Sequence, residues 1–165
     1  MKKQSLALAV CVVMGFAGAE LSAHESKHTQ SDTMHAPAEQ MPWGIAGDAD
    51  GATRTIAVSM ADNMRFAPDR IEVREGETVK FLVRNDGKAL HEFVLGTAAS
   101  NAQHAAMMRK FPGMEHDEPH MAHVGAGKVG ALVWTFNRQG EFEYACLIPG
   151  HYEAGMKGRV RVLAK

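Results

Sequence analysis

A short segment near the C-terminus, Cys146-Leu-Ile-Pro-Gly-His151-Tyr-Glu-Ala-Gly-Met156, spaces a thiol, an imidazole and a thioether as C-x4-H-x4-M. A loop of this length can wrap one ion. The donors are soft to borderline, and thiolate with neutral nitrogen and a weak thioether suits copper, held by two His and one Cys in a plane with a distant Met. The second His has to come from elsewhere, so the chain must fold in a way that brings a remote segment to this loop. His91, in the apolar strand-like run Ala89-Leu-His-Glu-Phe-Val-Leu95, is the candidate. A His in an apolar run by itself reads as a packed core histidine; the motif downstream turns the preference toward a ligand.

These residues resemble those of the cupredoxins, and most closely the periplasmic copper-tolerance cupredoxins of bacteria, over about Arg54 to Lys165. The resemblance implies a type 1 copper site. Its ligands would be His91 on an internal strand and Cys146, His151 and Met156 from the loop before the last strand. Pro149-Gly150-His151 is similar to the azurin-like form of that loop. Two positions depart from the pattern: Glu92 stands where many cupredoxins carry an Asn that ties the two ligand segments together, and Leu147 where azurin-like loops carry a hydroxyl residue. Both bear on the hydrogen bonding around the metal, and so on redox potential and rigidity.

Residues 1–23 have the order of an export signal: Lys2-Lys3, an apolar stretch from Leu6 to Phe16, then Ala17-Gly-Ala19 or Leu21-Ser-Ala23 as the small-residue cleavage site. The apolar run is short for a membrane-spanning helix, so no membrane insertion is expected after cleavage. Export implies the periplasm, an oxidising compartment. Cleavage removes Cys11 and leaves Cys146 as the lone thiol of the mature chain. Such a thiol is buried, intermolecular or bound to something, and one Cys excludes a binuclear copper centre bridged by two. The formal net charge of -1 gives no electrostatic reason to expect nucleic acid or an anionic membrane surface as partner.

From 24 to 52 the chain is rich in Ser, Thr, Gln, Asp, Ala and Gly and reads as a flexible tail. It carries His24, His28, Met34, His35 and Met41, and is either a solvated tail or a loose copper-collecting arm. Met41-Pro-Trp43-Gly-Ile marks the point where it meets the domain, residues 53–165.

In that domain Arg54–Met60, Asp69–Arg74, Val79–Arg84, Ala89–Leu95, Gly130–Phe136, Glu141–Cys146 and Gly158–Leu163 read as strands, by alternation or as apolar runs, between turns such as Asn85-Asp-Gly87 and Asn137-Arg-Gln-Gly140. Many short strands at close spacing predict an all-β, antiparallel Greek-key sandwich or barrel. An insertion over about 97–128 interrupts them. Asn101–Phe111 looks helical and Pro112-Gly113 ends it. Met114, His116, His120, Met121 and His123 then crowd into one short stretch with Glu115, Asp117 and Glu118. This stretch is either an exposed polar loop or an auxiliary copper site, or an entry path to the first.

No nucleophile motif, phosphate loop or His-x-His pair of a multicopper oxidase is present, so the chain reads as a binding protein rather than an enzyme. Two functions fit: a periplasmic protein of copper tolerance and handling, with redox activity or hand-over to a redox or copper-transfer partner, or a mobile single-copper electron carrier. The extra His and Met residues favour copper handling.

Overall fold

The computed structural model describes residues 38–165 other than 113 and 115. The export signal expected at 1–23, and with it Cys11, lies outside the described residues, as do the tail residues His24, His28, Met34 and His35. Among the described residues, ten strands form two five-stranded sheets, and one α-helix lies between strands of the second sheet.

The first sheet takes its strands in the order β1 (Ile45–Ala46), β8 (Val129–Phe136), β5 (Glu77–Asn85), β2 (Arg54–Ala61) and β3 (Arg65–Ala67); the second runs β4 (Arg70–Arg74), β10 (Lys157–Leu163), β9 (Gly140–Ala145), β6 (His91–Gly96) and β7 (Met121–Val124). Period-two patterning decides which side of each strand is buried. Ile56, Val58 and Met60 of β2, Val79, Phe81 and Val83 of β5, and Val160 and Val162 of β10 turn inward, while Arg159 and Arg161 stay outside. Where the sheets meet, Phe81 and Phe93 pack at 5.2 Å between ring centroids and Phe93 stacks on Tyr144 at 5.0 Å.

Two pairings differ from the antiparallel expectation: β2 with β5 and β4 with β10 run parallel. The cause is the crossing of the chain between sheets. After β2 and β3 it moves to the second sheet for β4 and returns as β5 beside β2, and such a return through the other layer delivers a parallel neighbour.

Met41-Pro-Trp43-Gly, read as the docking point of the tail, is a tight turn closed by a Met41–Gly44 bridge. Trp43 is buried and its carbonyl accepts from Trp134 Nε1 at 2.9 Å, while β1 adds to the edge of β8. Within the insertion, α1 (Ala98–Lys110) starts three residues before the expected Asn101, because Thr97 and Ser100 form a capping box. Ala105 of the helix joins Val94, Met121, Ala145 and Leu147 in an apolar cluster on the outer face of the second sheet. With one face on the core and the other in this cluster, β6 is buried along its whole length. The next stretch contains β7, which the residues alone do not announce: a short, His-containing run becomes a strand because β6 offers it an edge, with Glu92 opposite His123.

Candidate metal centre

His91 opens β6 on the face shared by Phe93, and so points toward the sandwich interior. Cys146 directly follows β9, which pairs with β6 through Val94 and Ala145. That pairing brings the two segments together. The loop beyond Cys146 folds back on itself: the His151 N–H donates to Ile148 at 2.9 Å, the Met156 N–H to the His151 carbonyl at 3.0 Å, and the Cys146 N–H to the Met156 carbonyl at 3.0 Å. Gly155 makes the return possible at φ +89, a backbone conformation with little cost only for glycine.

The result is a compact donor set. One ligand atom each from His91, Cys146 and His151 lie within 4.8 Å of one another. Cys146 Sγ and His151 Nδ1 are 3.3 Å apart and the two imidazole centroids 5.0 Å. Met156 is fully buried beside them at the end of the loop. Thus the structure gathers His91, Cys146 and His151, and the backbone bond from Cys146 joins Met156 to the same turn.

Hydrogen bonding sets the state of each donor. Asp62 accepts from His91 Nε2 at 3.3 Å, which assigns the proton to that nitrogen and leaves Nδ1 bare. Asp62 in turn accepts from the Lys88 and Ala89 N–H groups, and these hold its carboxyl below the usual range. His91 Nδ1 is buried without a hydrogen-bond partner. Buried polar atoms are nearly always paired, so an orphan acceptor next to a thiol and a second imidazole fits a metal ligand. Burial above all pushes His151 down, favouring the neutral ring that ligates. Without metal, burial pushes the Cys146 thiol up to about 12, against the N–H groups of Glu92 and Ile148 that favour thiolate.

Glu92 carries the tie that its position in the sequence left open. Its N–H donates to Cys146 Sγ at 3.3 Å, and its carboxylate accepts from the Leu147 N–H at 3.3 Å. A carboxylate therefore links the two ligand segments. The helix braces the loop from outside: Arg109 pairs with Glu153, and Glu143 Oε1 accepts from both Asn101 and Tyr152.

The residues of the second cluster separate. His116 and His123 both line a surface cavity of about 890 Å³ whose wall also includes Met108, Met114, Glu92 and His151. His123 Nδ1 lies 3.2 Å from Glu92 Oε1, and its Nε2 donates to the His116 carbonyl at 3.0 Å. His120 stands edge-on to Trp43 at 5.4 Å and near Trp134 at 6.1 Å. Met121 packs in the apolar cluster under α1. His104, within the helix and not among the ligands expected from the sequence, sits 4.6 Å from His116, ring centroid to centroid. Its place in a helix that ends just before the His-rich stretch was the available signal.

Residues 52–163 match the family described as copper binding proteins, plastocyanin/azurin family. The chain is 51% identical over 139 residues to the copper-resistant cuproprotein CopI of Rubrivivax gelatinosus, covering 84% of this chain and 82% of that protein. It is 39% identical over 155 residues to the protein of the same name from Pseudomonas aeruginosa, covering 76% and 85%. Among solved structures, auracyanin from the photosynthetic bacterium Roseiflexus castenholzii superposes with a TM-score of 0.59 at 22% identity, over 68% of this chain and 99% of that one. The family match spans nine of the ten strands and the whole Cys146–Met156 loop, and the chain belongs to the plastocyanin/azurin family of copper-binding cupredoxins.

Proposed function

We propose that this protein is a periplasmic copper-handling cupredoxin that serves copper tolerance, and that His91, Cys146 and His151 would hold one copper with Met156 as a weak fourth donor. The observation that carries this reading is the triad itself: three donor atoms within 4.8 Å, one of them a buried nitrogen with no other partner. Its relatives at 51% and 39% identity are named copper-resistant cuproproteins, which supports tolerance as the role. The N-terminal residues 1–23, with their charged, apolar and small-residue zones, support export.

Bound copper supplies a one-electron couple. The chain's part is to hold the donors in place before and after that change. Asp62 fixes the tautomer of His91, the Glu92 N–H steadies the sulfur, and the Glu92 carboxylate locks the start of the loop. Burial of Cys146 and Met156 keeps water from the sulfur donors. An arrangement held this way suits neither oxidation state fully and reorganises little between them. We read the chain as a binding protein rather than an enzyme, as its copper-binding family and its cuproprotein relatives support.

A second reading has its own support. Ala89, Leu90, Ile148 and Pro149 surround His151 at the cavity, and Leu90 is half exposed. Such a patch suits docking of a redox partner and a mobile electron carrier. Copper titration of the exported chain tests the site: Cys146→Ala should abolish the thiolate-to-copper absorption, and its persistence would exclude the assignment. Copper sensitivity of cells lacking the protein, restored by the parent chain and not by Cys146→Ala, separates tolerance from electron transfer.

A further inference from the structure

Among the described residues, four side-chain nitrogens are buried without a hydrogen-bond partner: His91 Nδ1, Trp43 Nε1, and both ring nitrogens of His116. The tryptophan nitrogen carries a hydrogen and cannot ligate. The remaining three are imidazole nitrogens. His91 belongs to the site already described; His116 does not. An imidazole whose two buried nitrogens are both unsatisfied is the kind of exception that a metal site explains.

Its neighbours are also imidazoles. The His104 and His116 centroids are 4.6 Å apart with the rings inclined at 43°, close to the 5.0 Å and 53° of His91 and His151 in the first site. His120 stands apart from this pair, edge-on to Trp43 at 5.4 Å and near Trp134 at 6.1 Å. Burial, the larger effect on His104, pushes its pKa down and favours the neutral, ligating form. His123 plays a different part. With one ring nitrogen donating to the His116 carbonyl and the other at Glu92, it positions the backbone of His116 rather than offering a free donor.

We propose that His104 and His116 form a second, imidazole-only metal site that takes copper(II), built where the helix meets the loop after it. Nitrogen donors without thiolate suit the oxidised ion, and copper(II) stands highest in affinity among divalent first-row metals at such sites. Glu92 connects the two centres. Its N–H bonds the Cys146 sulfur, while its carboxylate meets His123, which in turn holds His116. Only the choice of metal rests on the reading of the chain as a copper protein.

The test is copper(II) loading of the full chain with the tail histidines His24, His28 and His35 replaced by Ala, followed by removal of unbound metal and a count per chain. About two coppers are expected, falling to about one in the His104→Ala/His116→Ala variant with the thiolate-to-copper absorption unchanged. One copper in the parent, or two in the variant, overturns the proposal. Electron paramagnetic resonance of the parent guards against a misfolded variant: the second copper should show couplings to two or more imidazole nitrogens and no thiolate character, and their absence overturns it as well. Loss of thiolate colour in the parent with the imidazole signal intact would instead sink the first-site reading and leave this one standing.

Discussion

The N–H of Glu92 donates to the Sγ of Cys146 at 3.3 Å, and the carboxylate of the same Glu92 receives the N–H of Leu147. One residue thereby holds the sulfur from β6 and anchors the loop that carries the next donors. Removing the side chain leaves the Leu147 N–H buried and unpaired, at a cost of about 1–3 kcal/mol. Glu92→Ala should therefore lose that much stability in urea titration of the metal-free chain. Glu92→Gln keeps an acceptor and should recover most of it. In the copper-loaded chain the Gln variant should show a higher reduction potential than the parent, since a negative charge that favours the oxidised ion is gone; an unchanged or lower potential would contradict the role assigned to the carboxylate.

Asp62 orients His91 from the far side of its ring and is itself held by Lys88 and Ala89 N–H groups. Partners that orient a metal-binding imidazole are typically worth ~10–100-fold in affinity. Asp62→Ala is expected to weaken copper binding by about that factor in a competition titration, while Asp62→Asn, with its carbonyl still able to accept from Nε2, loses less. Equal affinity in all three chains would show that the sandwich packing alone orients His91.

Three buried or half-buried acids make the metal-free chain sensitive to alkali. Burial pushes the Cys146 thiol and the Tyr152 phenol each up to about 12, and raises the Tyr144 phenol further still, its hydroxyl donating to the Pro68 carbonyl at 2.6 Å. Each pKa is higher folded than unfolded, so the folded chain keeps these protons better. The stabilisation is complete below the ordinary values, 9.0 for the thiol and 10.0 for the phenols, and is lost as pH climbs through the folded ones. Stability of the metal-free chain should thus fall above about pH 9. Copper removes the thiol's share by displacing its proton, so loading at neutral pH should release about one proton per thiolate-bound copper, measurable by pH-stat.

Gly158 faces the ring of Tyr144, where an added Cβ would stand 2.2 Å from Cζ. The ring has no room to retreat, since it stacks on Phe93 and its hydroxyl is bonded to Pro68. Gly158→Ala should lower stability by about 1–3 kcal/mol, as overpacking of a filled core does. A neutral result in urea titration would mean that β10 shifts to make space.

Much of this architecture was legible along the chain. Alternation in Arg54–Met60 and Gly158–Leu163 marks strands whose buried faces the structure bears out, and the apolar run Ala89–Leu95 marks the central strand β6. The strand β7 was not legible, because a run of four residues containing His123 owes its form to the open edge of β6 rather than to its own pattern. Nor were the parallel pairings of β2 with β5 and β4 with β10, which depend on the order in which the chain visits the two sheets.

The sequence by itself determined the donors: a thiol, imidazoles and thioethers, with Cys146, His151 and Met156 at a spacing that local turns alone can close. Only the tertiary structure decided which distant groups complete the set. Strand register delivers His91 to Cys146, sets Glu92 opposite His123, and lets the helix carry His104 to His116. It also sent Met121 into apolar packing and His120 against the tryptophans, although both lie in the same short stretch as His116. Spacing along a chain governs what one turn or loop can bring together; meetings between segments belong to the register and layering of both partners, and no single segment encodes them.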